Sequence, residues 1–131
     1  MNDNGKKVWN HECGGVVYNN STVITAGHCC CCRDMSFIEV AAGGVDFENL
    51  DDKTGSWQRS KIKEYIIHPL YMPASKKNDI CKLILEQQFT FNENIEAIQL
   101  DVDNLDTEVD CSISGWGNIN VNTLLIRYVN T

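Results

Sequence analysis

The chain has 131 residues, a length that supports one small domain, and its 43% hydrophobic content is enough for a packed core. Its formal net charge of −7 argues against nucleic-acid binding, because phosphate neutralisation needs clustered Lys and Arg. No apolar run approaches the ~20 residues of a membrane span. We therefore expect a small globular protein with no nucleic acid and no membrane among its partners.

Short β-branched or apolar runs recur along the chain between polar turns, a pattern typical of an antiparallel all-β protein. In chain order the predicted strands are residues 15–18, 22–26, 37–42, 62–67, 82–85, 95–100, 109–114 and 123–129. A single helical turn is expected after His28, and loops are predicted at residues 43–44, 49–55 and 69–78.

Seven cysteines in a chain of this length fit an oxidising compartment better than the cytosol. The first seven residues lack the apolar segment of a signal peptide, so we expect the natural protein to carry its export signal upstream. Overlapping Asn-x-Ser/Thr sequons would permit glycosylation of Asn19 or Asn20 in a secreted protein. The alternative is a cytosolic protein with free thiols.

Three segments that carry chemistry follow one another along the chain. His28 stands directly before Cys29 at the end of a β-branched strand, in Thr-Ala-Gly-His-Cys. Asp79 follows 51 residues later, in Asn-Asp-Ile, and Cys111-Ser-Ile-Ser-Gly-Trp-Gly117 comes last. In this order the segments resemble those of the trypsin/chymotrypsin-like serine proteases, over about residues 9 to 129.

The resemblance implies an antiparallel Greek-key barrel, the first barrel of the two-barrel trypsin-like fold. Residues 1–131 would then be a partial protease domain. Its first barrel would cover about residues 9–105, and about residues 106–131 would begin the second barrel.

The resemblance also implies peptide-bond hydrolysis, with His28 as general base and acid and Asp79 holding the imidazole in the required tautomer. Peptides or proteins would be the substrates and protein inhibitors the further partners, with no cofactor. The family's nucleophile lies roughly 90 residues after the aspartate, and no Gly-Asp-Ser-Gly-Gly occurs here. The available serines lack that glycine-rich surround, so the isolated chain is predicted inactive: Ser21, Ser36, Ser56, Ser60, Ser75, Ser112 and Ser114.

The same resemblance implies a Cys13–Cys29 disulfide, and leaves Cys111 unpaired because its family partner would lie in the absent second half. Two further cysteines each stand two residues after a candidate catalytic side chain, so a Cys30–Cys81 bridge is geometrically reasonable if those side chains meet.

Cys31 and Cys32 remain without an assigned role. Four consecutive cysteines could suggest a metal site, but adjacent thiols cannot all turn toward one ion and no Cys-x-x-Cys spacing exists. No metal is therefore expected.

Other polar residues have structural interpretations. His11 and His68 are expected to be structural, the second within a His-Pro-x-Tyr turn. An acidic cluster is expected to be a solvated loop face, with a calcium site as the alternative: Asp46, Glu48, Asp51 and Asp52. Gly44 and Trp57 occupy positions where a family calcium loop needs ligands, which argues against calcium.

Two rival hypotheses remain. One is a non-catalytic protease homologue that acts as a binding module, and the other is a small disulfide-rich structural module without protease ancestry. Contact between His28 and Asp79 would argue against the second.

Overall fold

The computed structural model describes residues 8–47, 50, 55–101, 112 and 114–117. The chain forms two compact units, Gly15–Leu100 and a second made of Met1–Gly14 with Asp101–Thr131. All strands of the described residues lie in the first unit. The helices among them are single turns, and none could cross a membrane. The predicted boundary between a first and a second barrel near residue 105 falls outside the described residues and stays a prediction.

The first unit is almost entirely antiparallel β structure. Its elements are β1 Val16–Asn19, β2 Thr22–Thr25, α1 Gly27–Cys30, a 3₁₀ helix Met35–Phe37, β3 Glu39–Ala42, β4 Gln58–Ile67 and β5 Cys81–Leu85. The strand order is β1-β2-β5-β4-β3, and each neighbouring pair is antiparallel. The predicted antiparallel all-β fold is confirmed.

Strand β4 gives the sheet its curl, because its two halves pair with different neighbours. Residues Gln58 to Lys61 pair with β3, whereas Ile62 to Ile67 pair with β5. The register shifts between Ile62 and Glu64, and such a bulge bends a strand and increases its twist. The five strands therefore form a curled, barrel-like sheet.

The core lies under β2 and β5, and the sequence of β5 shows why. Cys81, Leu83 and Leu85 are buried while Lys82 between them is exposed, the two-residue alternation of a strand with one covered face. The buried cluster continues into neighbouring strands and loops: Val23, Cys30, Met35, Phe89 and Ile95.

One predicted strand, residues 95–100, is wrong. Ile95 forms only an isolated bridge with Asn92, and Ile98 donates one hydrogen bond to Val17. The Asn92 side chain accepts the N–H groups of Asn94 and Ile95, so a side chain takes the place of a ladder partner. Residues 123–129, and most of 109–114, lie outside the described residues.

The loop after β3 is packed around Trp57. Gly43 has φ +96°, and a Cβ there would lie 2.5 Å from the Ser56 carbonyl oxygen, so only glycine fits. Gly44 lies against the Trp57 ring, whose Nε1 donates to the Asp46 carbonyl at 3.0 Å. The indole thus contacts the first residues after β3. The other acidic residues of the cluster lie outside the described residues, and the absence of calcium stays a prediction.

Candidate active site

His28 is carried by a single helical turn at the end of β2. The β-branched residues Thr22 to Thr25 favour a strand, and Ala26 keeps an extended backbone with φ −78° and ψ 147° before α1 begins at Gly27. The turn closes with hydrogen bonds from Cys29 to Ala26 and from Cys31 to Gly27. The His28 side chain remains 47% exposed.

Asp79 is presented by a structured turn just before β5. Asn78 adopts φ 55°, a left-handed conformation that asparagine tolerates, and its side-chain amide donates to the Leu70 carbonyl at 3.0 Å. The His68 ring accepts the Leu70 N–H at 3.0 Å, a structural role as expected. The turn leaves the Asp79 side chain 24% exposed, half as accessible as His28.

The register of β2 against β5 brings the two side chains together. Thr25 pairs with Cys81, so the residues just beyond these strand ends are neighbours although 51 positions separate them in sequence. His28 Nδ1 lies 2.7 Å from Asp79 Oδ2. The other carboxylate oxygen, Oδ1, accepts the backbone N–H of His28, also at 2.7 Å. Both carboxylate oxygens of Asp79 therefore contact His28.

Gly27 permits this approach. A Cβ at that position would lie 3.2 Å from Asp79 Oδ1 and 3.3 Å from the Tyr71 ring, tighter than ordinary van der Waals contact. The packing of the carboxylate against Gly27 depends on tertiary structure and has no sequence signal.

The hydrogen bond from the His28 side chain lowers the pKa of the Asp79 carboxyl, with the positive charge of Lys76 acting in the same direction. Asp79 is thus an anion at neutral pH. An anion at Nδ1 keeps the ring proton on that nitrogen and leaves the Nε2 lone pair available to accept a proton. The pair can therefore act as an oriented general base, and the carboxylate stabilises the imidazolium that forms.

The ionisation of the Asp79 carboxylate should be visible in how the free energy of unfolding changes at acid pH. The lowered pKa of Asp79 means that, below its ordinary value of 3.8, the unfolded chain binds more protons than the folded chain. The free energy of unfolding then rises with pH in that window. The Asp79 contribution is complete above that value and is lost as pH falls through the lower, folded-state pKa. We expect Asp79→Asn to flatten this dependence in denaturant titrations between about pH 2 and 5. Equal slopes in both proteins would contradict the assignment.

Disulfide-bonded cysteines follow both side chains in the sequence. Cys30 and Cys81, each two residues beyond one of the two side chains, form a disulfide and are 1% exposed. Cys13 and Cys29 are each disulfide-bonded, and their mutual pairing stays a prediction. Cys111 lies outside the described residues, so its predicted unpaired state is untested.

The remaining candidate residues lie elsewhere in the molecule. His11 contacts Trp116 in the second unit, with ring centroids 6.2 Å apart. Asn19 accepts hydrogen bonds from the backbone and hydroxyl of Ser21, and the Asn20 amide donates to Gln88. Glycosylation at Asn19 or Asn20 stays a prediction.

The known proteins that the chain resembles include trypsins and other proteases. A family model described as Trypsin matches residues 1–131. Over 108 residues the chain is 34% identical to Serine protease 1 of Homo sapiens, covering 82% of this chain and 41% of that protein. Hypodermin-A of Hypoderma lineatum is 32% identical over 107 residues, covering 82% and 40%. Trypsin-1 of Astacus astacus is 32% identical over 110 residues, covering 82% and 45%. The chain therefore spans less than half the length of these relatives.

Proposed function

The chain belongs to the trypsin family of serine proteases, and from this premise we propose that it is the N-terminal part of a secreted serine endopeptidase. In this proposal it supplies two of the three catalytic side chains, His28 and Asp79. Peptides and proteins are the substrates, and protein inhibitors of such enzymes are its further partners.

The observation that carries the proposal is the 2.7 Å contact between His28 Nδ1 and Asp79 Oδ2, reinforced by the second carboxylate oxygen on the His28 N–H. In the Ser-His-Asp triad, the histidine takes the proton of the attacking serine through Nε2 and later gives it to the leaving amine. The aspartate remains ionised throughout. The Asp79 anion and the half-exposed His28 ring have the properties that these two roles require.

The third side chain is assigned to the part of the protease that follows residue 131. Two of the serines within the chain already use their hydroxyls in local structure. Ser60 is buried, donates to the Lys61 carbonyl and accepts the Gln87 N–H, while the Ser21 hydroxyl bonds to Asn19. The matched part of the chain covers less than half of each of these relatives, which supports placing the nucleophile, oxyanion hole and specificity pocket outside it.

Secretion is proposed from the disulfides. The Cys30–Cys81 bridge and the two further disulfide-bonded cysteines fit an oxidising compartment.

An ester-hydrolysis assay of the isolated chain tests whether it supplies His28 and Asp79 but not the nucleophile. We expect background rates from both the 131-residue chain and its His28→Ala variant. The chain has an oriented base but lacks both a nucleophile and a pocket that would place a substrate carbonyl. It therefore cannot use the ~7–11 kcal/mol that proximity contributes in complete active sites. Turnover that disappears in the His28→Ala variant would show that the chain contains its own nucleophile.

A further inference from the structure

Cys31 and Cys32 differ from the other cysteines that the structure describes. Both are free thiols, with Cys31 half-buried and Cys32 exposed. Each of the other described cysteines is in a disulfide: Cys13, Cys29, Cys30 and Cys81. The free pair follows directly after α1 and takes no part in the proposed catalytic chemistry.

The two thiols stand on consecutive residues just after α1. Cys31 ends α1 with φ −68° and ψ 136°, and its N–H donates to Gly27. Cys32 then adopts φ 64°, a left-handed conformation that is uncommon for a residue with a Cβ. A hydrogen bond with Cys32 raises the pKa of the Cys31 thiol.

The short spacing of the two residues disfavours a disulfide between them. The peptide bonds are trans, so the two Cα atoms are ~3.8 Å apart. Disulfides usually need roughly 4.4–6.8 Å between these atoms. Direct oxidation of the pair would thus require the backbone to move, whereas an atom that bridges the two sulfurs would not.

We propose that Cys31 and Cys32 form a dithiol site for trivalent arsenic, with one arsenic atom bonded to both sulfurs. Arsenic(III) is thiophilic and is satisfied by two sulfur ligands and one further substituent. A zinc ion needs about four ligands, and no third His, Cys, Asp or Glu side chain joins this pair within the described part of the chain. The site rests on these two residues alone and is independent of the proposed protease function.

The reaction with phenylarsine oxide balances without an oxidant or reductant. Each thiol gives up its proton, two As–S bonds form, and the arsenic–oxygen bond breaks with the oxygen leaving as water. Arsenic remains trivalent, and the phenyl group keeps the third position. The exposed Cys32 sulfur offers the first point of attack, and Cys31 closes the ring.

The test is a titration of the 131-residue chain with phenylarsine oxide under non-reducing conditions, in a Cys111→Ser background that removes the cysteine lying outside the described residues. Intact mass spectrometry and thiol counting are expected to show one arsenical per chain and the loss of two titratable thiols. Excess 2,3-dimercaptopropanol should restore both. Binding of two arsenicals, or no loss of thiols, would overturn the proposal.

Cysteine variants distinguish arsenic that is bonded to both sulfurs from arsenic that reacts with a single thiol. Cys31→Ser and Cys32→Ser should each bind about 10²–10⁴-fold more weakly, because the second bond of a bridged ligand is intramolecular. The matched control, Cys32→Ser with Ser36→Cys, keeps two thiols but separates them, and it should bind as weakly as the single variants. Equal affinity of this control and the parent would also overturn the proposal. Peptide mapping of the Cys30–Cys81 disulfide checks that each variant has folded.

Discussion

Replacing Asp79 with asparagine in the complete protease is expected to lower kcat for peptide hydrolysis by about 10⁴-fold, the magnitude known for the triad template. The geometry of the site specifies the reason. The backbone N–H of His28 donates to Asp79 Oδ1 at 2.7 Å, so the amide oxygen of the asparagine must take that position. Its NH₂ group then faces His28 Nδ1.

An NH₂ group in that position can only donate, so Nδ1 must become an acceptor and the ring proton moves to Nε2. The nitrogen that should take the proton of the nucleophile is then already protonated, and general-base catalysis fails. The fold should be retained, because asparagine is nearly isosteric with aspartate.

Steady-state kinetics on a peptide substrate, with circular dichroism as the check on folding, measure this effect. Asp34→Asn is the matched control. Asp34 is another carboxylate whose pKa is lowered by a hydrogen bond, but its partner is Ser36 and not a histidine. We expect Asp34→Asn to keep nearly full activity. An Asp79→Asn enzyme within a factor of ten of the parent would contradict the assigned role.

Removing the Cys30–Cys81 disulfide is expected to lower the free energy of unfolding of the chain by about 4 kcal/mol. The two cysteines are 51 positions apart, and cross-linking a loop of that length removes about this much chain entropy from the unfolded state at 25 °C. A loss of this size is a large fraction of the stability of a small domain. The same bridge ties the turn that carries His28 to the start of β5, two residues after Asp79.

Cys30→Ala with Cys81→Ala is the appropriate double variant. Both positions are 1% exposed, and serine would bury an additional hydroxyl. Denaturant unfolding of this variant should be compared with that of Cys31→Ala with Cys32→Ala, which also removes two sulfurs but no disulfide. We expect a small change in the control. A loss below about 1 kcal/mol in the disulfide variant would mean that the bridge is dispensable.

The elements that could be predicted are those whose local sequence agrees with their tertiary environment. The β-branched residues before Ala26 and the apolar run at residues 82–85 identify β2 and β5. Their motifs also single out His28 and Asp79 before any contact between them is known. The antiparallel pairing of β2 with β5 then supplies the contact.

What could not be predicted depends on contacts between distant segments. β4 begins at Gln58, four residues before the predicted start, because the β3 edge pairs with it. The Trp57 ring lies against Gly44 after β3, a contact that no local pattern reveals. The left-handed backbone at Cys32 is likewise one that its residue type does not favour.

The most direct test of the central claim is covalent labelling with a fluorophosphonate, which reacts with a serine activated by an oriented histidine. The complete protein and the 131-residue chain would be treated in parallel with their His28→Ala variants, and the labelled peptide identified by mass spectrometry. The account predicts one label on the complete protein, at a serine beyond residue 131, that is lost in His28→Ala, and no label on the isolated chain. A label on a serine within residues 1–131, or one on the complete protein that survives His28→Ala, would contradict it.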